Sequence, residues 1–309
     1  MPASGTLNHM PTMRHAAVIG TGMMGPGIAA ALAQGGLSIT LLSRSDSAAA
    51  EGVRKAREAA GPDFADQITG STDMEHNVAR ADLVIESAPE EMKFKQKLFA
   101  YLDGVAPLHA PLCSNTSGLS ITEIQSLCRH PERVLTTHFW NPPALMPLVE
   151  IVCGEATSPE VAEAVRELLQ QCGKVPVLVK KDRPGQLGNR LQMALFREAL
   201  HIAQEGIADP DQIDLAIKTG FGLRLPVYGS FEHMDMVGLD LVKAVLENAL
   251  TDLNSSRDTP QILLDKIAAG DLGVKSGQGF YNWAERDATA VRARRDGFLR
   301  DFAAGHFRR

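Results

Sequence analysis

The sequence predicts an α/β fold in which a mostly parallel sheet wound with helices is followed by an all-helical C-terminal domain. Three observations carry that reading. As far as Lys180, short apolar runs alternate with longer amphipathic stretches, and parallel strands need such crossovers. The first apolar run passes through a glycine-rich turn into a helix pattern. From Pro184 onward helix pattern follows helix pattern, with no strand-like run between them.

In chain order, the strand-like runs are Ala16–Ile19, Ser38–Leu42, Leu83–Glu86, Pro111–Cys113, Val134–Thr137, Val149–Val152 and Val175–Val179. They are rich in Val, Ile and Leu, as buried strands are. Helix patterns fill Pro26–Gln34, Glu91–Leu102 and Pro159–Gln171, and Arg54, Lys55 and Arg57 share one short helix that ends by Gly61-Pro62. Lys180–Pro184 is charged and leads into Pro-Gly, which marks the domain boundary. The expected division is a mobile arm over residues 1–14, a sheet domain over 15–182, a helical domain over 183–284 and a helical tail over 285–309.

The chain has 309 residues, 44% of them hydrophobic and 22% charged, enough for packed cores and about two domains. Lys+Arg 31 against Asp+Glu 37 leaves a net charge of −6, which argues against nucleic acid as a partner. No apolar run approaches the roughly 18 residues of a membrane span. Met1–Arg14 lacks the charged-then-apolar order of a signal peptide. Cys113, Cys128, Cys153 and Cys172 show no metal spacing and read as free thiols of a cytoplasmic protein. His233, Asp235 and Glu232 are close in sequence, but nothing completes a metal set. Arg292, Arg294, Arg295, Arg300, Arg308 and Arg309 make the tail basic, which suits a solvated amphipathic helix better than an acidic partner.

Gly20-Thr21-Gly22-Met23-Met24-Gly25 follows the first strand and opens a helix that Gly35-Gly36 ends. In a dinucleotide-binding, Rossmann-type unit the first glycine makes the tight turn, the second lets backbone approach a pyrophosphate, and the third permits helix–strand packing. The helix N-terminus supplies free N–H groups and a positive dipole end to the phosphates. The expected cofactor is therefore NAD(P). At the end of the second strand, where an acidic residue reads the ribose of NAD, the chain has Ser43-Arg44, with Asp46 offset by three residues. That tilts the expectation slightly toward NADP, because Arg44 suits a 2′-phosphate.

His138 ends the run Val134–Thr137, and Glu150 closes Pro147-Leu148-Val149-Glu150 twelve residues later. Oxidising an alcohol requires a base for the hydroxyl proton, and a carboxylate partner fixes an imidazole in the tautomer that serves. A histidine at a strand end is more often structural than catalytic, so the residues alone leave both readings open.

The glycine loop, Ser114-Asn115-Thr116-Ser117, His138-Phe139-Trp140-Asn141-Pro142, Pro147–Glu150, Pro184-Gly185 through Asn189-Arg190, and Lys275–Tyr281 occur in an order that resembles the L-3-hydroxyacyl-CoA dehydrogenase family. The resemblance spans Ala16 to Trp283. It implies that His138 is the base and Glu150 its partner, and that Ser117 and Asn189 hydrogen-bond the reacting oxygen. It also implies that Asn141 lies near the nicotinamide and that Glu90, Lys95 and Lys275 contact the dinucleotide. From the residues alone, Ser117 equally reads as a helix cap, Asn189 as a partner for backbone groups, and Glu90 and Lys95 as surface charges. In the family the helical domain pairs with its twin, so a homodimer is expected.

Three departures bear on the substrate. Only Ser43–Ala81 lies where members acting on CoA esters carry a longer helical hairpin with basic residues. Gln186 replaces the family's apolar residue after Pro-Gly. The segment from Gly222 to Glu232 leaves the usual pattern and contains Arg224, placed to pair with a free carboxylate. These features resemble the branch that oxidises small free hydroxy acids such as L-gulonate or carnitine, or a ring-bearing alcohol. A 3-hydroxyacyl-CoA ester and a compact free acid both stay open as substrate. The β-hydroxyacid dehydrogenase class also carries a similar glycine loop, but it needs a lysine where Gly185 stands. A non-catalytic, crystallin-like cofactor binder would not need both His138 and Glu150.

Overall fold

The computed structural model describes residues 12–306. Most of the expected arm, Met1–Pro11, lies outside the described residues, as do Arg308 and Arg309 of the basic tail. The described chain forms two compact units, one holding the residues through Arg190 together with those from Arg295 on, the other Leu191–Arg294.

The first unit is built on eight strands, β1 (His15–Ile19), β2 (Ser38–Leu42), β3 (Ile68–Ser71), β4 (Leu83–Glu86), β5 (Leu112–Ser114), β6 (Val134–Phe139), β7 (Leu148–Cys153) and β8 (Val175–Val179). Their order in the sheet is β3-β2-β1-β4-β5-β6-β7-β8. Neighbours pair in parallel except β6 and β7, which form an antiparallel hairpin. The chain winds outward from β1 through β2 to β3, then returns to β4 on the other side of β1. That reversal creates the crevice at the carboxyl ends of β1 and β4 where such sheets bind ligands.

Helices α1 (Gly25–Gln34), α2 (Asp46–Ala60), α3 (Met74–Val78), α4 (Met92–Val105), α5 (Ile121–Ile124), α6 (Pro159–Gln171) and α7 (Gly188–Gln204) follow in turn. Successive residues of a strand face opposite sides of the sheet, so two cores form. Ala16, Val18, Ile39, Leu41 and Ile85 meet α1, α2 and α6 through Ile28, Leu32, Ala56 and Val165. Ala17, Ile19, Leu42 and Val84 meet α4 and α5 through Phe99, Leu102, Ile121 and Ile124 on the other side. The expected fold class is thus found.

Two local expectations need correction. Strand β3 is absent from the sequence reading because only Ile68 of its four residues is buried; Thr69 and Gly70 are exposed on an edge. Helix α2 is longer than the short helix expected. It runs 15 residues from a Ser45 cap, whose hydroxyl accepts the N–H of Ala48, to Gly61 at φ +89°. Gly70 lets it lie close to β3, since a Cβ there would stand 2.9 Å from Val53 Cγ2.

The second unit holds the rest of α7 with α8 (Pro210–Thr219), α9 (Phe221–Arg224), α10 (Ser230–Val237), α11 (Leu239–Ala249) and α12 (Gln261–Ala268), before α13 (Ala288–His306). Isolated bridges at Gly273–Gln278 and Gln278–Asn282 are the only β pairing there among the described residues. No described helix is long and apolar enough to cross a membrane.

Candidate active site

The glycine loop leaves β1 at the switch point. Gly20 adopts φ +110°, and a Cβ on it would stand 2.3 Å from the carbonyl oxygen of Ser87 beyond β4. A Cβ on Gly25 would stand 1.8 Å from the carbonyl oxygen of Gly20, so α1 can start there only on glycine. Gly22 differs: nothing lies within 4 Å of its Cβ position, which leaves open space over the loop. Helix α1 has no side-chain cap at Met24, and Pro26 occupies its first turn, so its N–H groups stay available to an anion. Met23 is 81% exposed beside them. A tight turn, an open cradle and an uncapped helix end fit the pyrophosphate of a dinucleotide.

Beyond β2, Thr21 and Ser43 are joined by a hydroxyl–hydroxyl bond of 3.2 Å, which ties the glycine loop to the end of β2. Arg44 next to it is exposed, and no carboxylate pairs with it among the described residues. Asp46 is the first residue of α2 and accepts from Thr72 Oγ1.

The charges placed after β4 are drawn inward. Lys95 is 1% exposed, and its ammonium donates to Glu86 Oε1 at 2.6 Å and lies 3.5 Å from Glu90 Oε2. Glu86, at the end of β4 and fully buried, also accepts from Ser114 Oγ at 2.7 Å and from the Ala88 N–H. Glu90 Oε1 accepts from Thr116 Oγ1 at 2.5 Å and from the N–H groups of Ser117 and Gly118. A buried ammonium thereby holds two carboxylates, one of which shapes the turn after β5. Glu86 and Thr116 were missed in the sequence; a glutamate ending an apolar run was the available signal.

Ser117 sits at the tip of that turn, exposed, and its hydroxyl has no partner among the described residues. The alternative of a helix cap falls away, because Ser120 caps α5 by accepting from the Glu123 N–H. Asn189 donates from Nδ2 to the Ser117 carbonyl at 3.1 Å, which uses one of its two amide hydrogens.

His138 and Glu150 are directly opposed in the register of the β6–β7 hairpin. His138 Nδ1 lies 2.8 Å from Glu150 Oε2, which also accepts from the Trp140 indole N–H at 2.9 Å. The other oxygen, Oε1, accepts the N–H groups of Leu187 at 2.9 Å and Gly188 at 2.8 Å. Glu150 is fully buried. Burial alone would push its carboxyl up; bonds from His138, Gly188, Trp140 and Leu187 outweigh that and hold it at about 2. A carboxylate only accepts, so Nδ1 of His138 carries a proton toward it.

The hairpin loop is braced on three sides. Gly188 leaves no room at Trp140, whose Cζ2 would be 2.5 Å from an added Cβ, and Gly27 of α1 is equally close to Pro143 at 2.7 Å. Lys174 is 8% exposed and donates to the carbonyls of Pro143 at 2.6 Å and Met146 at 3.1 Å. Asn141, in the same loop, is exposed and joined to Pro142 by a cis bond. Burial pushes the Cys113 thiol, on β5 behind the site, up to about 12.

Arg224 and Lys275 belong to the second unit. Arg224 ends α9 with its side chain exposed, and Lys275 is exposed on the turn closed by the Gly273 N–H donating to the Gln278 carbonyl. Among the described residues, no three of His, Cys, Asp and Glu gather as a metal-holding group.

The model of the 3-hydroxyacyl-CoA dehydrogenase NAD binding domain matches residues 15–183, and that of the family's C-terminal domain matches 185–283. The chain is 36% identical over 293 residues to 5-formyl-3-hydroxy-2-methylpyridine 4-carboxylate 5-dehydrogenase of Mesorhizobium japonicum, covering 92% of this chain and 95% of that protein. It is 34% identical over 281 residues to 3-hydroxybutyryl-CoA dehydrogenase of Clostridioides difficile, covering 86% and 98%. Among solved structures, a 5-formyl-3-hydroxy-2-methylpyridine 4-carboxylic acid 5-dehydrogenase, described as an NAD+ dependent dismutase, superposes with TM-score 0.84 at 35% identity, covering 95% of this chain and 97% of that one.

Proposed function

Because the chain belongs to the 3-hydroxyacyl-CoA dehydrogenase family and is an NAD-dependent dehydrogenase acting on CH–OH groups, we propose that its substrate is a compact free acid, a hydroxy acid or a ring-bearing alcohol or aldehyde hydrate, rather than a CoA ester. The observation that carries the chemistry is the buried Glu150, which takes four N–H donors and faces His138 in register.

In this reading His138 is the general base. Glu150 fixes the Nδ1–H tautomer, Nε2 takes the hydroxyl proton, and the carboxylate stabilises the imidazolium that results. When bound, NAD+ accepts the hydride that leaves the same carbon. The Ser117 hydroxyl and the second Asn189 amide hydrogen hold the reacting oxygen. Asn141 orders the nicotinamide end, and Lys95 acts on the cofactor through Glu90 and the Thr116–Gly118 turn. Gly20, Thr21, Gly22, Met23, Met24 and Gly25 cradle the pyrophosphate. Lys275 contacts the dinucleotide, and Arg224 pairs with the carboxylate of the substrate.

The substrate class is supported by α2. Its cations each have a partner within the protein: Arg54 bridges Glu51 and Glu58, Lys55 pairs with Glu51, and Arg57 donates to the Ile68 carbonyl. A CoA phosphate approaching Arg54 or Lys55 would have to compete with the acidic neighbours Glu51 and Glu58. The Mesorhizobium relative is named for a pyridine that carries a carboxylate beside a formyl group, a compact ring acid of the proposed kind. We take the cofactor as NAD, which the family's NAD binding domain supports, although Ser43-Arg44 stands where an acidic residue would read the ribose. A homodimer through the helical unit would cover its exposed apolar side chains, among them Phe231 at 82% and Val227 at 79%.

The test is turnover with NAD and NADP on four substrates: 3-hydroxybutyryl-CoA, L-gulonate, carnitine and 5-formyl-3-hydroxy-2-methylpyridine 4-carboxylate. A free acid should be preferred, and high specificity for the CoA ester alone would overturn the substrate class. His138→Ala should bind NADH within twofold of the unmodified enzyme while turnover falls ~10²- to 10⁴-fold. Unchanged turnover would refute the dyad.

A further inference from the structure

Gln186 breaks two rules at once. It is the one non-glycine residue with positive φ among the described residues, at +52°, and it is 4% exposed with its Oε1 buried and unpaired. For stability alone, a glycine in this left-handed conformation, or an apolar side chain in this buried place, would serve better. A residue held against both preferences points to a job for its side chain.

That job is visible in what the amide touches. Nε2 donates to the Thr116 carbonyl at 2.8 Å, one residue before Ser117. The next two residues, Leu187 and Gly188, aim their N–H groups at Glu150 Oε1. The left-handed turn at Gly185 and Gln186, with Gly185 at φ +77°, is what brings both N–H groups to one side of the chain. The Asn189 amide adds a second tie to the same strand-end turn, at the Ser117 carbonyl. One short loop therefore grips the turn after β5 with side chains and the partner of His138 with backbone.

We propose that Gln186 is a positioning residue that locks the Ser117 turn to the Glu150 clamp, so that the group holding the reacting oxygen and the base that deprotonates it keep one spacing. The inference rests on the roles proposed for His138 and Ser117.

Two variants test it. Gln186→Met keeps length and removes the donor; Gln186→Gly removes the donor and accepts positive φ without strain. Both are assayed on whichever of the four substrates the unmodified enzyme turns over fastest, with NADH affinity, melting temperature and amide exchange of residues 115–119 and 185–189 measured alongside. The expected result is a kcat lower by ~10- to 100-fold, with KM and the NADH dissociation constant within about threefold. The glycine variant should melt within about 5 °C of the unmodified protein, because relief of the strained backbone and of the unpaired Oε1 offsets the bond lost at the Thr116 carbonyl, and exchange should rise in both segments. If Gln186→Met fails to fold, Gln186→Gly decides alone. A kcat within threefold of normal in the glycine variant overturns the proposal, as does unchanged exchange in both segments. A kcat loss that tracks NADH affinity or melting temperature also overturns it, since that marks a structural role only. The His138→Ala control separates the two claims: if it keeps turnover, the dyad reading fails, whereas its loss beside normal Gln186 variants sinks only this inference.

Discussion

Replacing Glu150 by Gln removes a charge and changes no volume, so its effects are those of the clamp alone. Turned to keep an oxygen toward Leu187 and Gly188, the new amide points its NH2 at two donors, the Trp140 indole N–H and His138 Nδ1. His138 can answer only by moving its proton to Nε2, which removes the lone pair needed for base catalysis. Turnover should fall ~10²- to 10⁴-fold. The Trp140 N–H cannot adapt, and leaving it unpaired costs about 1–3 kcal/mol.

The unmodified protein adds a pH signature. Its Glu150 carboxyl falls from an ordinary 4.5 to about 2 on folding. At ~1.36 kcal/mol per pH unit, the ionised group favours the folded state by about 3 kcal/mol. A lowered carboxyl value stabilises fully above 4.5 and ceases to do so as pH drops through 2. About 3 kcal/mol at pH 6 therefore becomes about 2 kcal/mol at pH 3.5. Glutamine does not titrate, so the stability gap between the two proteins should narrow by about 1 kcal/mol over that range. Urea unfolding at the two pH values measures it. A gap that stays constant would refute the claim that the four donors hold an anion.

Three further outcomes follow from the packing. Gly22→Ala should leave the melting temperature unchanged, because its Cβ position is open, yet weaken NADH binding; Gly25→Ala, 1.8 Å from the Gly20 carbonyl, should lose both, as fluorescence titration and thermal melting will tell. Lys174→Met leaves the Pro143 and Met146 carbonyls without their donor, so unfolding should come easier by about 1–3 kcal/mol and exchange rise over residues 143–146. Arg133→Met strands the buried Asp103 carboxylate now 2.9 Å from the guanidinium, at a cost of about 3–5 kcal/mol in denaturant titration.

What was legible in the sequence is what local pattern encodes. Apolar runs marked seven of the strands, the glycine spacing marked the loop, and His138 with Glu150 stood out as polar residues closing apolar runs. What stayed hidden depends on contacts between distant segments. Val134–Thr137 and Val149–Val152 do not disclose that they pair antiparallel, which is what makes a spacing of twelve residues a direct contact. Lys95 reads as a surface charge on a helix, and only the fold brings Glu86 of β4 beneath it. Leu187 and Gly188 offer no side-chain signal of their own, since their contribution to Glu150 is backbone. Ile68–Ser71 is too polar to announce an edge strand.

The hairpin has a consequence for redesign. Because β6 and β7 are neighbours in sequence as well as in space, the proposed base and its carboxylate partner lie in one continuous stretch, His138 to Glu150, whose strands pair with each other. The groups read here as touching the substrate, Ser117, Asn189 and Arg224, come from other segments. A library that varies Ser117, Asn189 and Arg224 alone, with Leu187 and Gly188 kept, can search for new substrates without touching the N–H donors on Glu150. A slip of one residue in the pairing would turn His138 and Glu150 to opposite faces and silence every member of the library at once.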